Sequence, residues 1–297
     1  MATTNSSLPR VSVISDFKEI TKMRLSLSVV FSAIAGYLLG ATTIEVSTLI
    51  LLAFGGYFMV GASNIYNQII ERDLDALMSR TKNRPIPAGR ISVNSALIMA
   101  VIFTILGIAT LYIINPRTAM YGAISIFLYT SVYTPLKTKT PLSVFAGAIP
   151  GAIPFMLGWV AARNAFGIEP GTLFAIQFFW QFPHFWAIGW FLFDDYKKGG
   201  FYMLPTGKRD KGTATQTIMY TIWTVLISII PVFGFTGDLK LSIVAAIIVF
   251  AIGLGMIYFA LQLFVKRTEL AAKHLILASV IYITLLQIVY VADKFIR

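Results

Sequence analysis

The sequence predicts an all-α fold, a polytopic transmembrane helical bundle of about nine spans. Two observations predict it. Of 297 residues, 57% are hydrophobic and 12% are charged, against roughly 25% charged in soluble domains, and the mean hydropathy is +0.77. The apolar residues also fall into repeated runs of about 18 to 25, the length a helix needs to cross a bilayer core. They do not alternate, which sets a strand reading aside.

The runs place spans at 25–41, 47–69, 94–114, 118–134, 141–162, 170–193, 214–235, 240–265 and 274–292. The first follows a basic stretch (Arg10, Lys18, Lys22, Arg24) and has small residues at 32–36, as a signal peptide would. It runs straight into a second span with no soluble domain to export, so it is read as a retained helix. The fifth concentrates Gly147, Pro150, Gly151, Pro154 and Gly158 in one helix. Small residues there allow close helix approach, and the prolines predict a kink. The sixth carries His184 between aromatic neighbours.

Cation placement sets the expected topology. Arg117, Arg163, Lys240, Lys294 and Arg297 fall on one side of the bundle, and the other 19 of the 24 Lys and Arg fall on the side of the N-terminus. The positive-inside rule then puts the N-terminus in the cytoplasm and the C-terminus outside, in the cytoplasmic (inner) membrane. This bias accounts for most of the +11 net charge, and no nucleic-acid module accompanies it. Cysteine is absent, which excludes disulfides and thiolate chemistry. Residues 1–9 are expected to form a disordered tail, and 10–297 a single transmembrane domain. Its two long charged loops lie near 64–93 and 194–213, so a local function belongs at the cytoplasmic ends of the helices.

In the first loop Asn67, Glu71 and Asp75 are spaced by four. Each step on an α-helix turns about 40° from the last, so three oxygen-bearing side chains share a face. Hard ligands of this kind suit magnesium completed by substrate phosphates. Arg80, Lys82 and Arg84 follow, fit to take diphosphate oxygens. The ordinary alternative is a charged helix end with Glu71 and Asp75 paired to Arg72 and Arg80; Asp73 points away from the ladder. The second loop opens with "DDYKKGGFYMLP", which offers Asp194 and Asp195 for a second ion, or to share the first diphosphate, and Lys197 and Lys198 for the diphosphate. Tyr133 and Lys137, four apart at the end of the fourth span, are a third contribution. Lysines and tyrosines at such positions are also ordinary interfacial residues.

"NIYNQIIERDLDALMSRTKNRP" resembles the first acidic motif of the UbiA superfamily of intramembrane prenyltransferases, and "QFPHFWAIGWFLFDDYKKGGFYMLP" is similar to the second motif region of that family's haem-modifying branch. The resemblance covers the whole chain in span number, orientation and motif placement. It implies farnesyl diphosphate and haem b as substrates, magnesium as cofactor, the lipid bilayer as setting and respiratory oxidase assembly proteins as partners. It also implies metal binding by Asn67, Glu71, Asp75, Asp194 and Asp195, and ionisation of the allylic diphosphate in a chamber with aromatic walls. Two departures stand out: Glu71 replaces the family's usual aspartate, and Gly199 stands where quinone-pathway members carry a second aspartate. His184, with Phe185 and Trp186, is expected to contact haem, by iron ligation or a propionate hydrogen bond; a histidine satisfied between helices is the plainer reading. His274 reads as interfacial. An aromatic quinone precursor as acceptor, or a transporter, are the competing functions; every acid clusters at helix ends and not at the midplane, which disfavours transport.

Overall fold

The computed structural model describes residues 12–297, and the expected tail at 1–9 lies outside them. The elements are α1 (Val13–Ile20), α2 (Met23–Gly40), α3 (Val46–Ile70), α4 (Arg72–Leu77), α5 (Val93–Ile114), α6 (Pro116–Phe127), α7 (Thr134–Leu136), α8 (Ser143–Arg163), α9 (Ile168–Phe191), α10 (Phe193–Lys198), α11 (Lys211–Ile227), α12 (Ile243–Lys266) and α13 (Glu269–Ile296). Sequence signals set many of these limits. Ser92, Asn115, Asp210, Ser242 and Thr268 each occupy an N-cap and accept a backbone N–H three residues on, which satisfies a donor that the helix itself leaves free. Pro116 follows its cap at a position where its missing N–H costs nothing.

Among the described residues, seven helices are long and apolar enough to cross a membrane, and the protein is an integral membrane protein. Two expected spans differ from these for stated reasons. The fourth is a helical stretch broken by a π-turn over Leu128–Tyr133, which separates α6 from α7. The sixth, α9, has 24 residues, but Gln177, Gln181, His184 and three tryptophans reduce its hydropathy. The last span begins earlier than the apolar run suggests, at Glu269. His274 therefore lies inside α13, its ring 6.0 Å from Phe259, and not in a loop.

The centre of the bundle is α8, which contributes Phe155 and Trp159 to one core with α9, α11, α12 and α13, and Met156 and Val160 to another with α2, α3, α5 and α6. Its small residues have a packing role. A Cβ on Gly158 would lie 1.9 Å from the Ala33 carbonyl oxygen, and one on Gly36 would lie 2.0 Å from that of Phe155, so α2 and α8 touch backbone to backbone. At the far end from the charged loops, Lys294 donates to the carbonyls of Leu38 (2.7 Å) and Leu39 (2.9 Å), the last turn of α2, where a cation complements the helix dipole. Large aliphatic side chains such as Ile243, Val244 and Ile247 are exposed on the outside, as expected of a lipid-facing wall.

Candidate active site

The ladder survives a break in its helix. α3 stops at Ile70 and α4 starts at Arg72, yet Glu71 N–H donates to Asn67 O (2.9 Å) and Asp75 N–H to Glu71 O (2.7 Å). Helical register is thus carried through the joint, and the three side chains stay on one face. All three are buried, Glu71 to 4% and Asp75 to 0% exposure. Buried carboxylates need partners, and here they come from distant segments. Lys137 Nζ lies 2.7 Å from Glu71 Oε1, and Arg84 Nη1 lies 2.7 Å from Asp75 Oδ2. Arg72 and Arg80 do not fill these places: Arg72 pairs with Asp73 at 3.4 Å, and Arg80 lies 6.0 Å from the Tyr196 ring.

A third cation joins them that motif reading missed. Lys22, in the left-handed turn between α1 and α2 (φ 45°), donates to Asn67 Oδ1 at 3.4 Å. Burial, then the nearby Arg84 and Lys137, push its ammonium down to about 7, against the opposing pull of Glu71 and Asp75. For Lys137, burial is the largest influence and would lower the pKa, but Glu71 together with Tyr129 and Tyr196 outweighs it and the net shift is upward. The only signal for Lys22 in the sequence was membership of a basic stretch, which topology explained fully.

The π-turn positions the fourth wall. Thr134 N–H bonds Tyr129 O, five residues back, and Asn67 Nδ2 donates to Thr134 Oγ1 at 3.2 Å. Lys137 then sits 4.6 Å from the Tyr133 ring centroid and 5.6 Å from that of Phe201. Tyr129 and Tyr196 extend this aromatic surface, at 5.2 Å from Tyr133 and 5.9 Å from Phe201. Deeper along α3, from Ser63 inward, a cavity of about 50 Å³ opens between α2, α3, α6 and α8, lined by Val30, Met59, Ile126 and Leu157 among others. Its lining is aliphatic; the aromatic surface is confined to the charged end.

The second motif meets the first through its backbone. Asp195 accepts from Ser79 N–H (2.7 Å) and Arg80 N–H (3.2 Å), and Lys198 bridges to Ser79 Oγ at 2.9 Å and Asp195 Oδ1 at 3.4 Å. Burial would raise the Asp195 carboxyl, but these amides and Lys198 hold it below the ordinary value. Asp194 turns outward, its side chain 73% exposed and 3.0 Å from Arg209. Lys82 and Lys197 are exposed and make no ion pair among the described residues. The five expected ligands are thus divided: Asn67, Glu71 and Asp75 form one buried group, Asp195 clamps the 79–80 turn, and Asp194 stands apart.

The buried group fits a hard divalent ion. Asp75 Oδ1 has no hydrogen-bond partner, while Glu71 Oε1 is held by Lys137 alone. Unpartnered buried oxygens are expensive, and oxygen donors are what magnesium takes.

Residues 29–283 match the model of the UbiA prenyltransferase family. The chain belongs to this family. It is 71% identical over its whole length to the protoheme IX farnesyltransferase of Christiangramia forsetii, covering 99% of that protein. It is 66% identical to the protoheme IX farnesyltransferase of Flavobacterium psychrophilum, covering 100% of each. Among solved structures, a UbiA homolog from Archaeoglobus fulgidus bound to GPP and Mg2+ matches with a TM-score of 0.68 at 17% identity, over 94% of this chain and 100% of that one. These matches bear out the expected family, its haem branch and the helical membrane fold of this UbiA member.

His184 lies on α9, away from the ion cluster. Its Nδ1 is 2.8 Å from Ser279 Oγ on α13, and the Trp180 ring stacks on it at 4.7 Å. Phe185 lies edge-on to it at 5.5 Å, while Trp186 is buried and packs against Phe182 and Tyr220.

Proposed function

We propose that this protein transfers a farnesyl group from farnesyl diphosphate to a vinyl group of haem b, with addition of water, releasing diphosphate. The observation that carries the reading is the buried nest of Asn67, Glu71 and Asp75 with Lys22, Arg84 and Lys137 around it. Full-length relatives at 71% and 66% identity bear that enzyme's name, which favours haem over an aromatic quinone precursor as acceptor. The site belongs on the cytoplasmic side, with the N-terminus inside, because the cations crowd this end.

Asn67, Glu71 and Asp75 would hold magnesium, which when bound supplies neutralisation of the diphosphate leaving group. Lys22, Arg84 and Lys137 bind the diphosphate oxygens and keep the departing group in place, the guanidinium bidentately. Arg80, Lys82, Lys197 and Lys198 surround the approach and draw the anion in. Asp194 and Asp195, expected as further metal ligands, serve here by tethering Arg209 and the 79–80 turn. When the allylic C–O bond breaks, the faces of Tyr129, Tyr133 and Phe201 stabilise the farnesyl cation by roughly 0.5 to 2 kcal/mol each. Its C1 is taken by the terminal vinyl carbon of haem. Water then adds to the cation left beside the porphyrin and loses a proton, giving the hydroxyethylfarnesyl product. The aliphatic cavity below the ladder accepts the first part of the prenyl tail.

Purified protein incubated with magnesium, farnesyl diphosphate and haem b should release pyrophosphate and yield farnesylated haem by mass analysis. Pyrophosphate release without a haem adduct, or no release at all, refutes the assignment.

A further inference from the structure

The stripe of α9 that holds His184 leads to the second motif. His184, Ile188, Phe191 and Asp195 follow at steps of three and four and are each only partly covered, while Trp186, Ala187 and Trp190 are buried. The α9–α10 joint keeps this register, because Leu192 N–H bonds Ile188 O at 2.9 Å and Tyr196 N–H bonds Leu192 O at 2.9 Å. His184 therefore lies on the same face as Asp195, about 16 Å deeper at 1.5 Å per residue. Its contacts with α13 determine which ring nitrogen carries the proton.

Ser279 Oγ stands 2.7 Å from Ile276 O and 2.8 Å from His184 Nδ1. A carbonyl oxygen has no proton, so at 2.7 Å the serine hydroxyl proton is assigned to the Ile276 carbonyl. The hydroxyl has just one proton to give. It cannot also donate to the imidazole, so His184 Nδ1 must carry a proton and donate it to Ser279 Oγ. In a neutral imidazole the other nitrogen, Nε2, is then the lone-pair nitrogen. Nε2 has no hydrogen-bond partner among the described residues. Trp180 reinforces the arrangement from the same helix: its Nε1–H donates to Ser279 O at 2.7 Å, and its indole lies 17° from parallel with the imidazole. One serine is thus held at its carbonyl and used at its hydroxyl by two residues of α9 one turn apart.

We infer that Ser279 and Trp180 are positioning residues that fix His184 in its Nδ1–H tautomer, leaving Nε2 to ligate the iron of the haem substrate. The inference rests on the haem reading above. A histidine that ligates a metal ordinarily donates its other N–H to a fixed acceptor, which sets both ring orientation and ligand basicity. Ser279 is that acceptor. Between the two roles open to His184 in the sequence, iron ligation and a propionate hydrogen bond, the geometry selects the first: a propionate contact needs a donor at the free nitrogen, and Nε2 is an acceptor.

The chain has 2 histidines, so the tautomer can be read directly from histidine ¹⁵N shifts of the detergent-solubilised, haem-free protein, with a His184→Gln sample giving the assignment. Wild type and Ser279→Thr, which keeps the oxygen, should show a protonated Nδ1 and a bare Nε2 on His184; Ser279→Ala should show a mixture. Titration with haem b should give a histidine-ligated Soret band in wild type and Ser279→Thr. In Ser279→Ala, haem affinity should fall about 10- to 100-fold, in the range typical for loss of a ligand's outer partner. A protonated Nε2 in wild type, or unchanged haem affinity and spectrum in Ser279→Ala, overturns the inference while leaving the transferase assignment intact. A protein that binds haem b normally but forms no farnesylated product has the reverse meaning.

Discussion

Replacing Asp195 with asparagine should loosen the 78–91 segment in the substrate-free, metal-free protein. Asp195 accepts from Ser79 N–H at 2.7 Å and from Arg80 N–H at 3.2 Å, one to each carboxylate oxygen. Its side chain is 15% exposed, so water replaces these bonds poorly. An asparagine keeps one acceptor oxygen and loses the other along with the charge, so one charge-assisted bond goes, worth about 1.5 to 3 kcal/mol. That converts to roughly 10- to 150-fold easier opening of the turn. Hydrogen exchange measured by mass spectrometry should show faster exchange of that order in a peptide spanning Ser79 and Arg80, with peptides from α8 unchanged. Asp194→Asn is the control, since Asp194 binds Arg209 on the exposed side and should leave the turn protected. Leaving out magnesium separates holding the turn from any role in binding the ion. Wild-type exchange in Asp195→Asn would refute the clamp.

Three further outcomes follow from the same contacts. Lys137→Met strands Glu71 as a buried, unpaired charge, so the detergent-solubilised protein should lose about 3 to 5 kcal/mol, read as a lower thermal midpoint, and adding Glu71→Gln should recover most of it. Gly158→Ala sets a methyl group against the Ala33 backbone, where no side-chain movement relieves it, and should cost at least the roughly 1 to 3 kcal/mol of ordinary overpacking, read as poor recovery of monodisperse protein. Asp210 caps α11 through Thr213 N–H at 2.8 Å, and that bond leads the forces holding its carboxyl below the ordinary value. A depressed folded-state pKa gives stability that is present above the unfolded value of about 3.9 and lost as pH falls through the folded one. The deficit of Asp210→Ala, about 1 kcal/mol at neutral pH, should therefore shrink in melting curves taken progressively below pH 4.

Periodicity and composition made the class and most of the spans legible, because a bilayer imposes one length and one solvent on every crossing helix. What they missed has local causes. The fourth span contains a π-turn that carries no composition of its own, and the sixth uses glutamines and a histidine whose partners (Ala148, Ser279 and Gln287) sit on other helices. At the site, spacing by four was enough to put Asn67, Glu71 and Asp75 on one face. It could not say which cations would face them: Arg84 is 9 positions from Asp75, while Lys22 is 45 positions from Asn67. Nearest-neighbour charge pairing suggested Arg72 and Arg80, and tertiary distance selected Lys137 and Arg84. The adjacent Asp194 and Asp195 looked equivalent as letters, yet the turn of a short helix sends one outward and the other to the 79–80 amides.

On the proposed function, the pairing inside the ladder makes magnesium and the diphosphate depend on one another. As it stands, each buried carboxylate is neutralised by a cation that, on the proposed function, the diphosphate would also take: Lys137 on Glu71, Arg84 on Asp75. A diphosphate arriving alone would draw these cations toward itself and leave two carboxylates buried without partners, at a cost of several kcal/mol. A divalent ion arriving alone would satisfy the carboxylates and leave Lys22, Lys137 and Arg84 crowded and unpaired. Together they exchange partners with no charge abandoned, so each should raise the affinity for the other by the same factor. Calorimetry with an unreactive thio-diphosphate analogue, with and without magnesium, should show this coupling in the wild type beyond the ion's affinity for the free analogue. It should shrink in Glu71→Gln, which carries no charge for the ion to satisfy. Equal coupling in both proteins would mean that magnesium is delivered by the diphosphate alone, and that the ladder's carboxylates take no part in holding it.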